Sequence, residues 1–395
     1  IAAQSFNFLT VPNVPVGKIE GIQQIAGVVA VHYDKKVRAL SLVPPFLGGG
    51  LEGEFGLDEV IAPRNLLGPD LLFPFSPLRM LGSSQYTFIP NSVTKSLLVD
   101  KETDLDGSGV KVAVLDTGMI SWASPFNQFR FKPFSTSLEG FPGDGIGHGG
   151  WCEVMIAGLP FPTLYGKVEG IAPRAELYSI KVLSTLGIGS TTEVLAGMEL
   201  ASKLGVKIVS MSLGSEAQGG CEVDPICKAA QILEEQGILV IVAGGNSGPN
   251  NKTIGSPGIS PHAITVGSVS ITDRDIVSSF SSRGPTEDGL IKPDVCSYGG
   301  GNAKADAVPG ELIVSGVEGW LDPMYDGLIK GFAGLRGTSM ATPAFAGLMA
   351  LVEQDRNRKG STLRLSEVMS ILAEKGGEKS NDLGWGVGRL SWFVD

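Results

Sequence analysis

The chain has no long run of basic residues, and its formal net charge is −10. That balance argues against nucleic acid or an anionic membrane surface as the main partner. It has no apolar stretch long enough to span a bilayer; the longest, such as Ile238 to Ala243, have strand length. Charged residues make up only 18% of the 395, against 43% hydrophobic. That leaves ample side chain for a large core, in a length that admits two or three domains. No internal repeat is present. Histidine is scarce, with three residues, and cysteine with four. Cys221 and Cys227 lie close together in a loop with Gly and Asp. They read as two free thiols or, in an oxidising compartment, as a short-loop disulfide, which is the pairing expected here. No second Cys or His pair accompanies them, which argues against a zinc site. Glycine and proline are plentiful but spread along the chain, unlike a low-complexity tether. The first residue is Ile1, so a leader segment can have preceded it.

From about residue 110, strand and helix signals alternate. Val110 to Leu115, Leu177 to Leu183, Val206 to Leu213, Ile238 to Ala243 and Ala263 to Val269 read as strands. Glu193 to Leu204, Ala229 to Gln236 and Thr338 to Val352 have helical apolar spacing, the last with a strongly apolar face. This order predicts an α/β domain over 101–395, with a central parallel sheet and helices on both faces. Residues 1–47 read differently. Strands over Ser5 to Val11, Val28 to Tyr33 and Val37 to Val43, with a helix over Gly17 to Ile25, make a small α+β unit. Residues 48–100, rich in Pro, Gly and Leu, read as a linker or extended arm.

Four residues stand where chemistry is placed in such folds. Asp116 ends a strand, the position at which open α/β sheets build their sites; the plainer reading is a turn-forming Asp. Asn246 follows another strand through Gly244-Gly245, and its amide could donate to an anion; the plainer reading is a turn Asn. Ser339 lies in Gly337-Thr338-Ser339-Met340-Ala341-Thr342-Pro343, at a helix start where backbone N–H groups favour negative charge. Pro343 is expected in the first turn, where a missing N–H costs nothing. A Ser N-cap is the plainer reading. His148, in Gly147-His148-Gly149 before a helix at Trp151 to Ala157, is the best candidate base by elimination, because His32 and His262 lie in other contexts. Nucleophile, base, orienting carboxylate and oxyanion donor are the parts that acyl transfer needs.

Together these stretches resemble the subtilisin-like serine proteases, the subtilases. The resemblance runs through Val112 to Gly118, Gly147-His148-Gly149, Ala243 to Gly248 and Gly337 to Pro343, in that family's order of Asp, His, Asn, Ser. Further matches are Gly170 to Pro173, Met211 to Gly214 and Phe280 to Pro285, so it covers about residues 105–390. It implies a serine endopeptidase acting on polypeptides, with Asp116, His148 and Ser339 as the triad. Asn246 and the Ser339 N–H would bind the oxyanion. Ser212, Leu213 and Gly214 would pair with substrate as an added strand, and Gly244 and Gly245 would line the acyl-side pocket. It implies secretion, a monomer, and chemistry that needs no cofactor. There are departures: Gly150-Trp151 stand where the family usually has Thr-His, and Pro343-Ala344-Phe345 where it often has Pro-His-Val. Cys152 stands where proteinase K-like members carry a free thiol, which implies a thiol near the imidazole and sensitivity to mercurials; the plainer reading is a buried, inert Cys.

Val16 to Leu40, with Ala26 to Val31, resembles the second half of the inhibitory propeptide of many subtilases, implying a zymogen inhibited by its own N-terminal unit; the alternative is an unrelated N-terminal module. Asp104 and Asp106, before Gly107, have the alternate carboxylates and following Gly of a calcium loop and are candidate calcium ligands, as many subtilases bind structural calcium, but the terminal bidentate Glu is missing and a solvated turn is the plainer reading. The rival readings are weaker. Gly145 to Gly150 fits G-x-G-x-x-G, but Phe141 to Asp144 before it is no strand, so a dinucleotide fold lacks its context. Gly337 to Ala341 is not G-x-S-x-G, and the Asp-His-Ser order is wrong for an α/β-hydrolase. A sedolisin-type protease is disfavoured by His148. A catalytically silent subtilase fold that serves in binding is the remaining alternative.

Overall fold

The computed structural model describes residues 18–19, 34–39, 86–163, 166–217, 219–273, 276–301, 310–319 and 330–395. The expected strands at Ser5 to Val11 and Val28 to Tyr33, and all but 18–19 of the expected helix between them, lie outside these residues. The described chain begins with β1 (Lys36–Ala39), β2 (Tyr86–Pro90), α1 (Asn91–Leu98), β3 (Lys111–Asp116) and β4 (Lys132–Ser135). It continues through α2 (His148–Ala157), β5 (Phe161–Thr163), β6 (Gly166–Val168), β7 (Glu176–Lys181), β8 (Ile188–Ser190) and α3 (Thr191–Lys203). Then come β9 (Ile208–Met211), β10 (Leu213–Gly214), α4 (Pro225–Glu235), β11 (Leu239–Ala243) and β12 (Ile264–Val269). The last elements are β13 (Val295–Tyr298), β14 (Gly310–Gly316), β15 (Phe332–Leu335), α5 (Thr338–Arg358), α6 (Leu365–Lys375) and α7 (Leu390–Phe393).

Seven strands form one sheet in the order β13-β12-β11-β9-β3-β7-β4, every pair parallel. The alternation of side chains across a strand explains the layers. On β3, Val112 and Val114 enter one core while Ala113 and Leu115 enter a second. On β11, Leu239 and Ile241 join the first core, Val240 and Val242 the second. The first core takes the apolar side chains of α2 and α5, and the second those of α3 and α4, so the sheet lies between two helical layers. Its near-continuous Val, Ile and Ala runs are what burial on both faces demands.

Helix α5 departs from the amphipathic expectation. It is buried on all sides from Thr338 to Asp355, because it packs on β9, β11, β12, β13 and α2 at once. Small residues make that crowding feasible: a Cβ on Gly347 would come 2.6 Å from Ile171 Cβ.

The expected linker 48–100 ends too late. β2 pairs in parallel with β14, and Ile89 and Leu98 are buried in the main core. Residues 86–98 therefore belong to the folded domain. Their partner strand lies more than two hundred residues downstream, which local periodicity cannot report. Cys221 and Cys227 are joined in a disulfide with Cα atoms 5.5 Å apart. It closes the loop before α4, whose first N–H groups are capped by the Asp224 carboxylate.

Candidate active site

In the sheet, β3 is followed by β4 and β7 on one side and by β9 and β11 on the other. The carboxyl ends of β3 and β9 are thus a topological switch point, where parallel sheets open a crevice. Asp116 is the last residue of β3, Ser212 directly follows β9, and Asn246 follows β11 through Gly244-Gly245. Three neighbouring strands deliver three side chains to one place.

Helix α2 brings His148 to the same end as its first residue. The preceding Gly147 adopts φ 105°, and a Cβ there would lie 2.2 Å from Glu318 O, so glycine is required to turn the chain into the helix. His148 Nδ1 lies 2.7 Å from Asp116 Oδ1, and both side chains are 1% exposed. Asp116 Oδ1 also accepts from the Thr117 N–H at 2.8 Å. Among the described residues, His148 Nε2 has no hydrogen-bond partner. Burial pulls the histidine pKa down, but the charge of Asp116 and its hydrogen bond more than offset that, and the net shift is upward.

Ser339 is the second residue of α5, not its N-cap; Gly337 holds the cap position. Its Oγ donates to Ser212 O at 3.0 Å, and Ser212 Oγ donates back to Ser339 O at 3.0 Å. The second bond has a cause. Pro343 lies inside α5, beyond the first turn where it was expected, so the Ser339 carbonyl four residues earlier receives no helical N–H. The Ser212 hydroxyl takes it, with the Cys152 thiol at 3.6 Å. The break in the helix ladder thereby fastens the Ser339 turn to β9 and α2. Asn246 Oδ1 accepts from Thr338 N at 2.9 Å and Thr338 Oγ1 at 3.1 Å, which fixes the accepting end of the amide and ties the Asn246 loop to the same helix start.

Two residues that sequence reasoning missed support this geometry. Thr117 Oγ1 accepts from Gly149 N at 2.8 Å and donates to Asp144 at 2.9 Å. The Asp144 carboxylate also accepts from the N–H groups of Ile146, Gly147 and Gly150, closing the turn before His148. The available signal was an Asp before the glycine-rich stretch Gly145-Ile146-Gly147, a setting in which an Asp side chain caps its own turn. Burial raises the Asp144 pKa, partly countered by those hydrogen bonds.

Cys152 is fully buried one turn after His148, and a ligand atom from each of Asp116, His148 and Cys152 lies within 4.8 Å of the others. Burial, followed by the Asp116 charge, holds its thiol pKa well up, so it is a neutral S–H. Asp104 and Asp106 do not converge on a cation. Asp104 Oδ1 meets Arg358 Nη1 at 2.9 Å, while Asp106 Oδ1 accepts from Ser108 N at 3.0 Å and Gln354 Nε2 at 3.2 Å. With a guanidinium already on Asp104, the pair does not fit the calcium ion expected there.

Comparison with known proteins is consistent with this geometry. Serine protease AprX of Bacillus subtilis (strain 168) is 35% identical over 298 residues, covering 70% of this chain and 63% of that protein. Subtilisin Savinase of Lederbergia lenta is 34% identical over 252 residues, 63% of this chain and 78% of that protein. Pyrolysin of Pyrococcus furiosus is 30% identical over 273 residues, 56% of this chain but only 18% of that protein. The chain thus spans less than two thirds of the length of AprX and a fifth or less of pyrolysin. The subtilase family matches residues 107–388, a span that holds Asp116, His148, Asn246 and Ser339, and the chain belongs to that family.

Proposed function

We propose that this chain is a serine endopeptidase that cuts polypeptides through an Asp116–His148–Ser339 triad and an acyl-enzyme intermediate. The observation that carries the reading is the buried 2.7 Å Asp116–His148 pair at the switch point, beside the helix start bearing Ser339. Asp116 holds the proton on Nδ1, leaving Nε2 as the basic nitrogen. Rotation of the Ser339 side chain away from Ser212 O brings its hydroxyl to that base. His148 takes the proton as Oγ attacks the carbonyl carbon, then gives it to the departing amine. Water repeats the sequence on the ester. The Asn246 amide and the Ser339 N–H stabilise the oxyanion, the N-terminal end of α5 adding its dipole. Ser212 to Gly214 pair with the substrate backbone, and Gly244 and Gly245 line the pocket for its acyl-side residue.

The chemistry needs no cofactor. Residues 1–47 act as a propeptide-like inhibitor, and the enzyme works as a secreted monomer; the Cys221–Cys227 disulfide supports an oxidising compartment. No helix among the described residues is long and apolar enough to cross a membrane. Labelling with a fluorophosphonate tests the reading. The wild-type chain takes one label, and Ser339→Ala takes none and loses about 10⁶-fold in kcat. A wild-type chain that stays unlabelled, with its N-terminal unit removed, returns the molecule to a silent binding fold.

A further inference from the structure

Cys221 and Cys227 lie outside both large cores. With Ile254 and Ile259 they make a third, small apolar cluster, in which Cys227, Ile254 and Ile259 are buried and Ala217 and Cys221 pack against them. The two ends of the bridge are held differently. Cys227 is in the first turn of α4, where the Asp224 carboxylate accepts its N–H at 3.3 Å, and α4 packs on β11. Cys221 is half-buried in the loop before α4, and its N–H donates to the Asp288 carboxylate at 2.7 Å. The bridge therefore pins a surface loop to a helix of the main sheet's outer layer.

What this cluster touches gives it a meaning beyond packing. In one direction, Ala217 is two residues after Ser215, which continues the chain from β10. Ser215 and Ser256 exchange both backbone hydrogen bonds, each 2.9 Å, in an antiparallel bridge. Gly255 beside it has no room for a side chain, since a Cβ there would lie 2.6 Å from Ser215 O. In the other direction, Ile254 reaches the loop that carries Asn246. Its Cδ1 lies 3.4 Å from where a Cβ on Gly244 would stand, and Gly255 N donates to Gly244 O at 3.2 Å. The segment proposed to pair with substrate, Ser212 to Gly214, and the glycines proposed to line its pocket, Gly244 and Gly245, are thus joined through residues 254–256. The sulfur bridge packs behind that junction. A cluster with three buried side chains removes little apolar area from water, so packing alone holds it weakly, and a covalent tie makes up the difference.

We propose that the Cys221–Cys227 bridge is a positioning element for specificity: by holding Ile254 behind Gly244 and Ala217 beyond Ser215, it fixes the walls of the acyl-side pocket, and the enzyme discriminates a bulky uncharged residue from a small one there only while the bridge is closed. The proposal rests on the peptidase reading above and adds what sets its selectivity. A bulky side chain reaches both walls and loses contact when they loosen. A small one does not reach them, and the reacting groups on β3, α2 and α5 are held by other bonds.

Two peptide substrates that differ only in the acyl-side residue, phenylalanine or alanine, test this on the full chain, with fluorophosphonate labelling reporting the peptidase reading separately. Dithiothreitol opens the bridge, leaving two thiols as the reagent closes to its own cyclic disulfide. Iodoacetamide then adds two marks by mass, on Cys221 and Cys227, because Cys152 and Cys296 are fully buried. The expected result is a fall of about tenfold in kcat/KM for the phenylalanine substrate, carried by KM, which is the low end for losing one methylene's worth of contact in an apolar pocket. The alanine substrate and the labelling rate stay unchanged. Cys221→Ala together with Cys227→Ala reproduces the loss without reductant. An unchanged ratio between the two substrates overturns the proposal. An equal fall on both also overturns it, because the bridge is then a stabiliser alone. In either case a chain that still labels leaves the peptidase reading standing, whereas a chain that takes no label, bridge closed or open, overturns both.

Discussion

Among the described residues, two histidines meet a carboxylate through Nδ1 at nearly the same distance, 2.7 Å for His148–Asp116 and 2.6 Å for His262–Glu234. The first pair is 1% exposed on both sides; the second is 32% and 31% exposed, on the flank of α4. Distance alone would rank them equal. The difference lies in what surrounds them. Water screens the His262 pair, and such contacts contribute little. His148 is buried, its carboxylate partner is anchored by a backbone N–H, and its far nitrogen is buried with no hydrogen-bond partner among the described residues. Burial turns an ordinary ion pair into a device with a fixed tautomer.

The comparison is most severely tested by Asp116→Asn. Keeping the shape but not the charge removes the group that orients the imidazole, and kcat is expected to fall about 10⁴-fold with the fold intact by circular dichroism. A loss under tenfold would make the buried pair no more special than the exposed one. Next, Asn246→Ala is expected to lower kcat by about 10²–10³-fold while KM changes little. The pH profile follows. On the proposed mechanism His148 acts as a base only when neutral, and its pKa is raised, so the acid limb of kcat/KM should turn above the ordinary value of about 6.5. The same upward shift adds stability that is fully present below that ordinary value and is lost as pH rises through the folded pKa. An acid limb below the ordinary value would contradict the upward shift. The smallest effect is expected at the other pair: Glu234→Gln should leave the rate unchanged and move stability by less than about 1 kcal/mol in thermal unfolding.

The sheet strands and their alternation with helices were legible because each depends on local pattern, and the four candidate site positions lie at the ends of such elements. Runs such as Val112 to Leu115 are long enough in apolar residues to read as buried strands; Asp116 follows such a run directly and Asn246 follows one through Gly244-Gly245. What escaped reading depends on distant partners. β2 is a strand because β14 pairs with it. Pro343 was placed in a first turn by the usual preference, whereas its tolerance comes from Ser212 and Cys152, supplied by other elements. Asp104 and Asp106 have the spacing of cation ligands, yet Arg358 at the far end of α5 takes Asp104. The disulfide is a contrast, since its two cysteines lie six residues apart and suffice to suggest it.

The tie between Ser339 and Ser212 also has a consequence in time. Its two partners are 127 residues apart, and the histidine pair spans another 32. Contacts of such separation form only after the intervening chain has collapsed, so they come late in folding. A growing or half-folded copy of this chain therefore carries a serine, a histidine and an aspartate that have not met. On the proposed peptidase reading, nascent copies cannot cut one another until each has finished folding.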